Sequence, residues 1–296
     1  MKFSGVITAI VTPFRNGSVD ESALREIIDF QFNNGVTGIV PCGTTGESPT
    51  LTYEEHHRVI ELSVKFAAGR GEVIAGTGSN SADEAIELTQ AAEKAGATAS
   101  LQVAPYYNKP SQEGLYQHFK KIANHTKLPI MLYSIPGRCG IEIGVETTAR
   151  LAADCKNIVA MKEAGGSAER VSQLVDACGP NFDVLSGDDG LTLPFMSVGG
   201  TGIVSVASNI IPGPMSELVA LALKGDFLGA RKVHQKYYKL LAAFLKMDVN
   251  PVPIKTAMHL RGFCTMDLRL PLVPMPDAKV AELKDILQSL EILSSP

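Results

Sequence analysis

The 296-residue chain contains no tryptophan, and aromatic residues make up only 6% of it. Surfaces that interleave basic and aromatic side chains to stack nucleobases are therefore not on offer. No lysine- or arginine-rich block occurs and the net charge is −4. No strong field exists to draw in nucleic acid or an anionic membrane. The five cysteines, Cys42, Cys139, Cys155, Cys178 and Cys264, are scattered, odd in number and without a C-x-x-C pair. That excludes a disulfide framework and a zinc knuckle and fits reduced thiols. No apolar run is long enough to cross a bilayer, and the opening Met1–Val6 lacks a long apolar region followed by a small-residue cleavage site. The chain is read as cytoplasmic, with no nucleic-acid or membrane partner. No Gly-x-Gly-x-x-Gly follows the first apolar run, which weighs against a doubly wound dinucleotide fold.

What is present is a regular alternation. Hydrophobic residues make up 45% of the chain and charged residues 20%, ordinary values for a protein with a sizeable core. Short apolar runs begin near Val6, Gly38, Val73, Ala99, Ile130, Ile158, Phe182 and Gly202, and helical patterns separate them. Start signals mark several helices. Asp20 precedes the first, Thr52 with Glu55 has capping-box spacing, Ser81 with Glu84 repeats it, and Ser111 precedes a fourth. The runs are continuously apolar rather than alternating, as expected for parallel strands covered on both faces. Eight such units predict an α/β fold, a (β/α)8 TIM barrel over residues 1–225. After Pro212 no strand pattern remains, and residues 226–296 are predicted as a C-terminal helical extension.

The sixth run, Ile158-Val159-Ala160-Met161-Lys162-Glu163-Ala164, places a lysine near the end of a buried strand. An apolar setting pushes an amine toward its neutral, nucleophilic form. The alternative for Lys162 is a rim position, with its ammonium in water or paired with Glu163. Active sites of such barrels lie at the C-terminal strand ends, so the polar groups that follow each run matter. The second run leads to Gly43-Thr44-Thr45-Gly46-Glu47, a loop whose N–H groups and hydroxyls suit a small carboxylate or phosphate. The fourth leads to Tyr106-Tyr107, the fifth to Tyr133 and Arg138, and the seventh to Gly187-Asp188-Asp189. Asp188-Asp189 reads as an N-cap pair, His56-His57 as a solvated helix face, and Tyr106-Tyr107 as possible interface packing. Taken together, the amine, tyrosine, anion loop and arginine form an inventory for carbonyl chemistry. A metal-dependent aldolase would want a cluster of histidines or carboxylates at the strand ends. Asp188 and Asp189 have no histidine partners there, so no metal site is expected.

These residues resemble a known family. Gly43–Glu47, Pro105-Tyr106-Tyr107-Asn108-Lys109-Pro110, Tyr133-Ser134-Ile135-Pro136-Gly137-Arg138, Met161–Ala164, Ser186-Gly187-Asp188-Asp189 and Leu268-Arg269-Leu270-Pro271 stand in the order seen in the dihydrodipicolinate synthases. Those enzymes belong to the N-acetylneuraminate lyase superfamily of pyruvate-dependent class I aldolases. The resemblance implies a Schiff base between Lys162 and pyruvate, with Tyr133 passing protons. Thr45 would link Tyr133 to Tyr107, which crosses from a neighbouring subunit. Thr44 and Thr45 would hold the pyruvate carboxylate, and Arg138 the carboxylate of L-aspartate 4-semialdehyde. Gly187 and Val204 would line the lysine's pocket through their backbones. It also implies a homotetramer, no metal or organic cofactor, and feedback by L-lysine at Ser48, Tyr53, His56, Asn80, Glu84 and Tyr106. Tyr53 stands where that site often has histidine. Ser134, Gly137 and Cys139 replace the more usual Asn, Ser and Thr around Arg138. A sister activity on a sialic or sugar acid is the alternative within the superfamily, and a non-catalytic metabolite-binding barrel is a third reading.

Overall fold

The computed structural model describes residues 2–294. Eight parallel strands close a barrel: β1 (Gly5–Ala9), β2 (Gly38–Val40), β3 (Glu72–Gly76), β4 (Ala99–Val103), β5 (Ile130–Ser134), β6 (Ile158–Glu163), β7 (Asp183–Ser186) and β8 (Gly202–Ser205). Each pairs with its neighbour in sequence, and β1 closes the ring by pairing with both β2 and β8. This is the predicted (β/α)8 architecture. Helices α1 (Glu21–Asn33), α2 (Tyr53–Ala67), α3 (Ala82–Ala95), α4 (Gln112–Ala123), α5 (Pro136–Cys139), α6 (Val145–Asp154), α7 (Ala168–Cys178), α8 (Thr192–Met196) and α9 (Pro212–Leu223) connect the strands or follow the last of them.

The two-residue period of a strand sorts each run between the barrel's inside and its helical coat. On β5, Met131 and Tyr133 join the interior cluster with Ile7, Val40 and Val204, while Ile130 and Leu132 pack outward among the helices. On β6 a register shift after Ile158 resets the alternation, so that Ile158 and Met161 face outward and Ala160 inward. The same alternation sends Lys162 inward and Glu163 outward.

Most helix starts follow from their caps. Asp20 accepts from Ala23 N, Ser111 accepts from Gly114 N, and Thr52 with Glu55 closes a complete capping box. Ser81 departs from expectation: its side chain makes no cap hydrogen bond, and the Glu84 carboxylate is held by Ser79 and Tyr53. One small element went unread. Phe14–Arg15 and Ser18–Val19 form a two-stranded hairpin around Asn16-Gly17, whose φ values of 53° and 82° are those of a primed turn. The Asn-Gly pair was its available signal.

Beyond α9 the chain turns at Gly225 (φ 81°) into α10 (Phe227–Lys246), α11 (Val252–Leu260) and α12 (Asp277–Ser289). We place the boundary of the extension at this turn. Packing is continuous across it: Leu240, Phe244, Ile254 and Leu283 share one cluster with Val6 of β1 and Ile203 of β8. The extension also reaches the opposite rim. Lys255 Nζ lies 2.5 Å from Glu47 Oε1, and both side chains are fully buried. Arg269 N donates to Glu47 Oε2 at 3.1 Å, and Phe14 packs its ring beneath both Lys255 and Arg269. Removing one member strands a buried charge, which costs about 3–5 kcal/mol. Lys255→Met is therefore expected to lose about that much stability in urea unfolding, and the Glu47→Gln/Lys255→Met pair to recover most of it.

Candidate active site

Lys162 is 6% exposed at the C-terminal end of β6, in direct register with Tyr133 of β5. Its Nζ lies 4.2 Å from the centroid of the Tyr133 ring. Burial lowers the amine pKa to about 8; Asp189 opposes that shift and Arg138 adds to it. The rim position and the pairing with Glu163 are both excluded. Glu163 is on the outer face, where Arg170 Nε binds it at 2.9 Å and also reaches Glu142. Tyr133 is equally buried, and desolvation pushes its phenol upward, so it stays protonated at neutral pH; Thr44 and the Arg138 charge offset part of this.

Glycine is required beside the amine. A Cβ on Gly187 would lie 2.7 Å from Ala164 Cβ and 3.2 Å from Lys162 Cε, and Gly187 N donates to Glu163 O at 2.7 Å. Val204 lines the barrel interior with its buried side chain. The Asp188-Asp189 pair divides its work. Asp188 caps the following turn through Gly190 N. Asp189 is no cap: it is buried and accepts from Ser205 Oγ, Val206 N and Ala207 N, tying the end of β7 to that of β8. Desolvation raises its pKa to about 6.

The loop Gly43–Glu47 folds back on itself through Gly46 N and Ser48 N to Gly43 O, and Glu47 N to Thr44 O. Cys42 and Glu47, at φ 57° and 55°, bracket it in the left-handed region. The buried Glu47 carboxylate is what holds that conformation in place. Among the described residues, the N–H groups of Thr44 and Thr45 have no acceptor. Two such donors side by side are an anion cradle. Thr44 lies with Tyr133 and Lys162 in the wall of one cavity. Thr45 does not: its side chain is buried, and its hydroxyl accepts from Asn250 Nδ2 at 3.1 Å. The threonine beside Tyr133 is thus Thr44, not Thr45. Arg138, on α5, is exposed at the cavity mouth and donates to Asn250 O at 3.0 Å. The three replaced neighbours make no hydrogen bond to it. Ser134 accepts from Ile143 N, Cys139 is buried, and Gly137 faces open space.

The cavity has a volume of about 460 Å³ and extends from Lys162 past Gly76 to Ser48, Tyr53, His56, Glu84 and Tyr106. Those five residues come together as a second polar end. Glu84 accepts from Tyr53 at 2.6 Å and from Ser79. His56 is not solvated: it is buried, its Nε2 donates to Gly76 O at 2.9 Å, and its Nδ1 has no partner. Burial holds it neutral by lowering its pKa. A Cβ on Gly76 would fall 2.3 Å from Cys42 O, so only glycine lets β3 pass the anion loop. Asn80 stands outside the cavity wall and donates to Tyr106 O. Tyr107 is 91% exposed at φ 70° and does not reach the Thr44–Tyr133 pair of its own chain. Among the described residues no group of three His, Cys, Asp or Glu side chains is placed to hold a metal ion. Among the described residues no helix is long and apolar enough to cross a membrane.

Sequence comparison agrees with this geometry. A profile of the Dihydrodipicolinate synthetase family matches residues 2–290. The chain is 48% identical over 290 residues to the 4-hydroxy-tetrahydrodipicolinate synthase of Aquifex aeolicus (strain VF5), covering 98% of each chain. Among solved structures it is similar to the chloride-inhibited dihydrodipicolinate synthase from Acinetobacter baumannii complexed with pyruvate. The TM-score is 0.96 at 42% identity, over 99% of this chain and 100% of that one. It is also similar to DHDPS from Cyanidioschyzon merolae with lysine bound, with a TM-score of 0.95 at 41% identity over 98% and 99% of the two chains. With a buried strand-end lysine, its tyrosine and an anion cradle in place, and with relatives that match from end to end, the chain belongs to the dihydrodipicolinate synthetase family.

Proposed function

We propose that the protein condenses pyruvate with L-aspartate 4-semialdehyde to 4-hydroxy-tetrahydrodipicolinate, by a class I aldolase mechanism. The observation that carries this reading is the buried Lys162 amine, pKa about 8, set against Tyr133 at 4.2 Å and next to the open N–H groups of Thr44 and Thr45. The cradle holds the pyruvate carboxylate. Neutral Lys162 Nζ adds to the ketone carbon, and the carbinolamine loses water to give the iminium. The iminium is an electron sink, so a methyl proton leaves and an enamine forms. The enamine carbon attacks the aldehyde of the second substrate, whose carboxylate Arg138 holds. That substrate's own amine then displaces Lys162 and closes the ring. Tyr133, kept protonated by burial, donates and recovers the protons through Thr44.

The second polar end of the cavity supports L-lysine as an effector. The Glu84 carboxylate suits its ammonium groups, and the hydroxyls of Ser48, Tyr53 and Tyr106 suit its carboxylate. Tyr107, exposed and held at positive φ, supports an assembly in which a neighbouring subunit covers it, as in a homotetramer.

Lys162→Ala is expected to lose about 10³-fold or more of turnover and all covalent mass on borohydride treatment with pyruvate. Turnover with N-acetylmannosamine in place of the semialdehyde would instead assign a sister lyase. The trapping rate should rise about tenfold per pH unit below pH 8 and level off above it, because only deprotonated Lys162 adds to the ketone. A rise that continues unbroken through pH 9 would mean that the amine is not desolvated. Millimolar L-lysine, on the order of metabolite-site affinities, should lower initial rates; unchanged rates would remove the effector.

A further inference from the structure

Thr45 is buried in the loop after β2, behind the cavity wall, and Arg138 stands at the cavity mouth on the short helix after β5. Both touch the same residue of the C-terminal extension. Asn250, between α10 and α11, donates its side-chain Nδ2 to Thr45 Oγ1 at 3.1 Å, and its backbone carbonyl accepts from Arg138 at 3.0 Å. The segment carrying it is fixed on both sides. Met247 O and Asp248 are held by Lys279, Val252 N donates to Val249 O at 2.9 Å, and Lys255 reaches Glu47. Asn250 therefore cannot drift without moving the helices around it.

The direction of the Thr45 bond has a chemical consequence. An amide N–H occupies a lone pair on the Thr45 oxygen, so the Thr45 proton must point elsewhere. The open N–H groups of Thr44 and Thr45 mark where a carboxylate would sit, and Asn250, by holding the buried Thr45 side chain, fixes the backbone that carries them. Among the described residues, Asn250 Oδ1 is buried without a partner. The amide thus keeps its donor on Thr45. On the other side, the Asn250 carbonyl takes up one guanidinium nitrogen of Arg138. The remaining donors of the fork stay free for a planar carboxylate.

We infer that Asn250 is a positioning residue that presents both substrate-carboxylate binders: Thr45 for pyruvate, through its side chain, and Arg138 for the second substrate, through its backbone carbonyl. The inference rests on the activity proposed above and deepens it. The assembly of the mouth is then shared between the barrel, which supplies the binders, and the extension, which aims them.

The test uses the full-length enzyme with Asn250→Ala and Asn250→Asp. Asn250→Ala removes the donor to Thr45 and keeps the carbonyl. It should raise the pyruvate KM about 3- to 10-fold, the range of one lost hydrogen bond, with kcat and the semialdehyde KM within about twofold. Asn250→Asp is nearly isosteric, so it serves if the alanine variant does not fold. Its carboxylate accepts the Thr45 proton and also attracts Arg138, so both KM values should rise, each by about tenfold or more. Borohydride trapping at saturating pyruvate should proceed at the parent rate in both variants, since Lys162 is untouched. Parent KM values in whichever variants fold, even with a lowered melting temperature, would overturn the inference and leave Asn250 merely structural. Failure of the parent enzyme itself to trap pyruvate would overturn the proposed activity, and this inference with it. Trapping without semialdehyde turnover would remove only the Arg138 half.

Discussion

Keeping one amine dry is the constraint on which the site depends. An ammonium would be stable on the rim of any barrel, and it would be inert there. Lys162 is instead pulled inside by the alternation of β6, with Tyr133 in register beside it and Gly187 leaving room for its stem. Desolvation then favours the free base over the cation. The charges nearby are arranged so as not to undo this. Glu163, the carboxylate adjacent in sequence, is turned to the outer face and neutralised by Arg170. Asp189, the carboxylate that does face the site, has its oxygens engaged by three donors from the end of β8. Arg138 at the mouth opposes protonation further.

Around this amine the other groups are held from a distance. The anion loop is short and bracketed by two left-handed non-glycine residues, a conformation that costs of order 1 kcal/mol or more at each. It persists because Glu47 is anchored by Lys255 and Arg269, and Thr45 by Asn250. The helical extension is thus part of the site without contributing a reacting group. The cavity's far end is joined to the near end through β3, where His56 binds the carbonyl of Gly76 and Gly76 abuts Cys42 at the start of the anion loop. His56 and the anion loop therefore share Gly76 as a common neighbour.

The fold was legible because its signal is repeated. Eight apolar runs with caps between them leave few alternatives, and Lys162 stood out as a charge in one of those runs. The strand-end rule then collected Tyr133, Thr44, Arg138 and Gly187 into one mouth. What sequence did not convey were contacts between residues far apart in the chain. Nothing local to Glu47 indicates Lys255, and nothing local to Arg138 indicates Asn250. Single side-chain directions were also misread. Neighbouring threonines point to different places, so Thr45 was given the role that the structure's geometry offers to Thr44. Asp189 looked like its capping neighbour Asp188 because its partners lie on the next strand. His56 looked solvated because it stands in the polar run Glu54–Arg58, which gives no sign of which residue faces the barrel.

The pairing of Glu47 with Lys255 spans most of the chain, and this bears on the order in which the molecule becomes itself during synthesis. Chains emerge from the ribosome from the N-terminus, at about 5–20 residues per second. All eight strands precede Lys255, so the barrel can begin to close while Glu47 is still uncovered and the anion loop has nothing to hold its left-handed turns. A chain that stops short of α11 would lack the Lys255 anchor of the anion loop.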